Sequence, residues 1–331
     1  MLLATCLFLH ATLSAQTFVF EEFPLPPESS GFPYGMTTGP DGNVWFTVSE
    51  DVQGRSGHHI GRITPSGQIV LFVTPTSESG PDLIAAGPDG NVWFTEITAD
   101  QLGRVTPAGV ITEFPIPTSS GFSRPIGVAP GPDGAIWFTE LIANRIGRIT
   151  TDGTVTEFSI PTPESRPWFI TPGPDGALWF TEADGNKIGR ITTDGRITEF
   201  SIPTPGARPS SITTGPDGAL WFTEGRGAKV GRINTSGTIL EFPVPNVEGG
   251  LGGLVVGIDG ALWFSSWTTN KIGRITTDGA ITEFPVPFVT SPEISARGYG
   301  GPTGMTVGSD GALWFAHSNR IGRLAIVPMR S

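Results

Sequence analysis

Cysteine is nearly absent: Cys6 is the only one in 331 residues. It lies near the N-terminus, so the body of the chain offers neither disulfide nor thiolate chemistry. Charge is also scarce, with 15% of residues charged and a net charge of −11. An acidic chain without a basic run argues against nucleic acid and anionic membrane surfaces as partners. No stretch beyond the N-terminus is apolar for long enough to span a bilayer as a helix, which argues against membrane insertion. There are only four histidines and two tyrosines. No H-E-x-x-H, G-x-S-x-G or P-loop pattern occurs. Glycine (46) and proline (31) are plentiful instead. They recur at fixed places, which indicates turn chemistry and not disorder.

Residues 1–15 are apolar, contain no acid and end in Ser14-Ala15. This reads as a signal peptide, which predicts a secreted or periplasmic bacterial protein whose mature part is one domain, 16–331. The basic n-region is missing, and a disordered or buried N-terminal strand is the competing reading. Cys6 becomes a lipidation site only if translation starts upstream.

What the chain has in abundance is one motif. Asp-Gly-x-x-Trp-Phe occurs seven times, with tryptophans at Trp45, Trp93, Trp137, Trp179, Trp221, Trp263 and Trp314, spaced by 48, 44, 42, 42, 42 and 51 residues. Periods of 40–50 residues point to propeller blades. Within one copy, Pro167–Thr171, Ala177–Glu182, Lys187–Thr192 and Arg196–Pro203 read as short strands separated by Gly-Pro-Asp-Gly, Ala-Asp-Gly-Asn and Thr-Asp-Gly turns. Four antiparallel strands per repeat predict an all-β, seven-bladed β-propeller. The last repeat lacks a fourth strand, whereas Phe18–Pro26 matches the fourth-strand pattern of Ile281–Pro287. The N-terminal strand is expected to complete the last blade and protect its edge.

In such a blade the start of strand one and the end of strand two meet at one face. Eleven residues before each repeat tryptophan stand Tyr34, Asp82, Ile126, Trp168, Ser210, Gly252 and Thr303. Three residues after it stand Val48, Glu96, Glu140, Glu182, Glu224, Ser266 and His317. Two readings of the four glutamates stand side by side. They cap turns or pair with a basic neighbour such as Lys187, or they form an acidic ring that holds magnesium or calcium through oxygen ligands. No organic cofactor is expected. The Trp-Phe pairs are expected in the core between blades, and the recurring Gly of Ile/Val-Gly-Arg in a closely packed third strand.

Departures from the repeat single out blades 1 and 7. Insertions fall within Ser49–His59 and Phe288–Gly301. His58, His59 and His317, with Tyr34 and Tyr299, lie in or beside them, and the non-repeat Trp168 and Trp267 belong to the same face. Long loops on one face of a rigid scaffold are where binding usually resides. The expected ligand-binding set is Tyr34, Asp82, Trp168, Ser210, Trp267, Tyr299 and Thr303. The histidines are candidate acid/base groups beside Glu50 or Asp51; the alternatives are solvated loop residues and a neutral substitute for the repeat glutamate. A monomer binding a small molecule, peptide or glycan is expected.

The segments Ile170–Pro205 and Ile212–Pro245, with their I-T-x-G-P-D-G-A-L-W-F-T-E openings, resemble the streptogramin B lyase (virginiamycin B lyase) family over nearly the whole chain. The resemblance implies a seven-bladed propeller. It also implies a magnesium-assisted carbon–oxygen lyase that opens a cyclic depsipeptide by elimination across its ester. Histidines in Pro-His-x-Ile segments of the last two repeats would carry the proton transfer. The matching positions are Gly252 and Thr303, and Gly301-Pro302 stand where the family has an acid beside its second histidine. The fold is therefore expected to transfer without the catalytic residues. The sequence favours a binding or interaction module over a metal-assisted lyase or hydrolase working through the same face, or a purely structural scaffold.

Overall fold

The computed structural model describes residues 11–13, 16–29, 31–49, 57–117, 121–287 and 301–328. Tyr299, Glu50, Asp51 and most of both insertions lie outside these residues, as does most of 1–15. Among the described residues the strands form seven antiparallel sheets in a ring. Blade 4 runs Pro167–Pro172, Leu178–Glu182, Lys187–Ile191 and Ile197–Ser201 from the axis outward. Blade 7 takes its outer strand from the other end of the chain: Gln16–Pro24 pairs with Arg320–Pro328 from Gln16↔Pro328 to Pro24↔Arg320. Ala11–Leu13 adds a fifth strand outside it.

The repeat motif has a physical reason for each letter. In blade 4 the turn needs Gly176 at φ +73°, a left-handed value that glycine adopts without a Cβ penalty. Asp175 accepts from Trp179 Nε1 at 3.0 Å and pairs with Arg190 Nε at 2.6 Å. Trp179 is fully buried and stacks on Phe200 with centroids 5.5 Å apart. The same aspartate–tryptophan bond recurs in all seven blades. The tryptophans also reach the next blade: Trp137 packs with Leu178, Phe180 and Ile191.

The Phe of each Trp-Phe pair explains the Gly of Ile-Gly-Arg. A Cβ at Gly189 would lie 2.1 Å from Cζ of Phe180, whose ring is fully buried. Gly189→Ala is therefore expected to lose about 3 kcal/mol of stability through overpacking. Phe180→Leu in the same chain should return part of it, a coupling that denaturant titration of the double-mutant cycle measures.

Neighbouring blades are joined near the axis by a hydroxyl. Thr181 Oγ1 accepts from Phe169 N in its own blade and donates to Ser210 O in the next, at 3.0 and 2.8 Å. Equivalent donations run from Thr47, Thr95, Thr139, Thr223 and Ser265. Blade 7 has Ala316 at this position. There Thr38 Oγ1 donates to Val307 O at 2.6 Å, and the backbones approach closely: a Cβ at Gly304 would sit 1.8 Å from Tyr34 O.

Candidate functional site

Every inner strand begins with a register shift, as between Pro167 and Ile170. Such bulges re-aim side chains, and the residue eleven before each tryptophan lies within the shift. A cavity of about 1160 Å³ opens along the axis between the inner strands. Six of the seven residues expected to bind ligand line it: Tyr34, Asp82, Trp168, Ser210, Trp267 and Thr303. Tyr299 lies outside the described residues. Tyr34, Trp168 and Phe169 pack against a cluster that includes Leu83 and Ile126, making an apolar wall on blades 1–4. Trp267, 38% exposed, stands over Gly252: a Cβ there would lie 3.5 Å from its Cδ1 and 2.8 Å from Ser265 Oγ.

None of the three histidines is among the cavity-lining residues. His317 ends its strand and is 1% exposed, with Nε2 3.0 Å from Asn270 Oδ1 of blade 6. Burial first, and then the nearby Arg320 charge, lower its pKa to about 4, so the ring is neutral near pH 7. His59 was expected in a loop but opens the strand His59–Ile63 opposite Val48 and is buried. Its ring lies 4.3 Å from that of His58, and burial together with the His58 charge lowers its pKa. The His58–His59 pair faces Glu28 and Ser29, whereas His317 faces blade 6.

Glu96, Glu140, Glu182 and Glu224 are each fully buried at the end of a second strand. Lys187 does not pair with Glu182; it pairs with Glu199 of the fourth strand at 3.1 Å, and Glu199 holds Thr162 N at 3.0 Å. Burial first, and then the adjacent Glu199 carboxylate, push the Glu182 pKa up to about 8. The same causes, with Glu157 and Glu241 as neighbours, raise Glu140 to about 9 and Glu224 to about 8. Burial raises Glu96 to about 7. The oxygens of Glu140, Glu182 and Glu224 make no well-formed hydrogen bond, although the neighbouring carboxylates lie close enough to perturb them. The four carboxyls stand at the ends of second strands in separate blades, whereas a divalent cation needs several charged or polar oxygens at one point. Among the described residues no three His, Cys, Asp or Glu side chains are placed to hold one ion. Among the described residues the four glutamates therefore do not converge on one magnesium site.

Sequence reasoning overlooked Arg124, Arg208 and Arg226, which also line the cavity. The available signal was an Arg-Pro pair thirteen residues before the tryptophan in blades 3, 4 and 5 only.

The Virginiamycin B lyase family profile matches residues 14–169 and 120–293. A streptogramin B lyase structure is 40% identical, with TM-score 0.84 over 94% of this chain and 98% of its own. Virginiamycin B lyase from Staphylococcus aureus is 42% identical, with TM-score 0.84 over 94% of this chain and all of its own. A catalytically inactive histidine-to-alanine form of the S. aureus enzyme, with quinupristin, is 40% identical, with TM-score 0.83 over the same shares. No curated protein matches the sequence. By profile, identity and fold, the chain belongs to the virginiamycin B lyase family.

Proposed function

We propose that this propeller binds a small molecule, peptide or glycan in its axial cavity and does not carry out the streptogramin elimination. The observation that carries this reading is the pair Gly252 and Thr303. Both line the cavity where the family resemblance calls for histidine, and neither side chain can take or return a proton at neutral pH. Trp267 and Ser265 Oγ crowd the space that a side chain at 252 would enter. His58, His59 and His317 are not among the residues lining the cavity.

The leader 1–15 supports export, and cleavage after Ala15 would leave Gln16–Pro24 in place to complete blade 7. An exported protein would meet its ligand outside the cytoplasm.

Incubation with a streptogramin B and magnesium, followed by mass spectrometry, tests the loss of activity. The expected result is intact cyclic antibiotic. Elimination leaves the mass unchanged, so the linear isomer is read from its retention time and fragmentation. Its accumulation above the protein-free control would refute the reading.

A further inference from the structure

The lining arginines break the ring's symmetry in a particular way. Thirteen residues before the repeat tryptophan, blades 2 and 6 carry Gly80 and Gly250 at φ +67° and +80°. This left-handed backbone suits glycine and disfavours a residue with a Cβ. Blades 3, 4 and 5 adopt the same backbone with Arg124, Arg166 and Arg208, at φ +54°, +52° and +51°. Backbone strain of this kind persists where surrounding structure enforces it, and it concentrates at functional sites. The turn could be made with glycine, as the flanking blades show, so the arginine side chains need another explanation.

Their placement supplies one. Arg124 and Arg208 line the cavity, joined by Arg226 from the turn after the second strand of blade 5. Among the described residues neither Arg124 nor Arg226 has an ion-pair partner. Arg208 and Arg166 share a single acid, Asp184, at 3.9 and 3.2 Å. The lining acids are Asp82 on blade 2 and Glu248 in the loop after blade 5. Three arginines thus line the cavity on blades 3 and 5, in a chain whose net charge is −11. Trp168 and Phe169 lie in blade 4, at the centre of that arc.

We infer that the cavity takes an anionic ligand, whose oxyanion sits among Arg124, Arg208 and Arg226 while its apolar body rests on Trp168 and Phe169. The inference rests on the reading of the cavity as a binding site. Guanidinium forks match carboxylate and phosphate alike, and the shared oxyanion chemistry is the claim.

The probes are N-acetylphenylalanine, its neutral amide and phenyl phosphate, titrated against the fluorescence of the intact protein. The acid is expected to bind at least about tenfold more tightly than the amide, a preference that weakens as salt screens the arginines. Tighter binding of phenyl phosphate than of the acid would assign the arc to phosphate, and the reverse to carboxylate; either order supports the inference. Arg124→Gly and Arg208→Gly separate charge from architecture. Each relieves the left-handed backbone, so the melting temperature should hold or rise while the preference for the acid falls. Equal binding of acid and amide, or an undiminished preference in the glycine variants, overturns the inference and leaves the cavity reading standing. Saturable binding of none of the three probes overturns both.

Discussion

Removal of residues 1–24 is expected to abolish the cooperative thermal transition. The strand Gln16–Pro24 supplies a nine-residue ladder to Arg320–Pro328, and without it that strand becomes an open edge. The lost side chains matter as much. Phe18 and Phe20 are 1% and 4% exposed, and Phe18 lies 4.6 Å from Phe284 and 6.0 Å from Trp263, both of blade 6. Arg323, which pairs with Asp310 at 2.8 Å and also with Glu21, would keep only the first partner. Replacing Phe18 alone by alanine should cost about 3–5 kcal/mol. The truncation adds the second phenylalanine and the whole ladder to that loss. Circular dichroism melts of the two variants check the expectation. A truncated protein melting sharply within a few degrees of the full chain would show that blade 7 does not need its borrowed strand.

The second large effect is a loss of stability in alkali. Glu96, Glu140, Glu182 and Glu224 have folded pKa values of about 7, 9, 8 and 8, against 4.5 for an exposed glutamate. The folded protein therefore holds protons that the unfolded chain releases. For an acid with a raised pKa, the stabilising contribution is complete below the unfolded value and disappears as pH rises through the folded one. Between those limits each group lowers stability by up to about 1.4 kcal/mol per pH unit. The turn aspartates act in the opposite sense. Hydrogen bonds from Trp179 and Arg190, which outweigh a desolvation penalty, lower the Asp175 pKa, and that contribution fades only in acid. The melting temperature should peak below neutrality and fall steadily toward pH 9. Glu182→Gln removes one titrating group, so its melting curve should fall less steeply with pH. A flat wild-type profile across this range, or a variant that keeps the full slope, would falsify the assignment of neutral glutamates.

The fold was legible because each blade repeats its own constraints. Asp175, Trp179, Phe180, Gly189 and Arg190 form one interlocked unit, and seven copies of it announce seven blades. The borrowed strand was legible because Phe18–Pro26 looks like a fourth strand and the last repeat lacks one. The site was legible only in part. Counting eleven residues back from each tryptophan found Tyr34, Asp82, Trp168, Ser210 and Thr303 because inner strands share a register. That count says nothing about the third coordinate. It could not show that His317 turns toward Asn270 and away from the cavity, or that Lys187 prefers Glu199 to Glu182. Arg124 and Arg208 escaped notice because their signal is conformational: an arginine where the backbone asks for glycine is invisible until φ is known.

The missing hydroxyl at Ala316 bears on how the ring is closed. Six joints carry a hydroxyl that donates from one blade to the inner strand of the next, so the two cannot part there without breaking that bond. The seventh is closed by other groups: Thr38 Oγ1 donates to Val307 O and Ser309 Oγ to Gly42 O, both at 2.6 Å, and Gly304 fits beneath the Tyr34 carbonyl. Tyr34 belongs both to that joint and to the cavity wall, so the contacts that close the ring also set one side of the cavity.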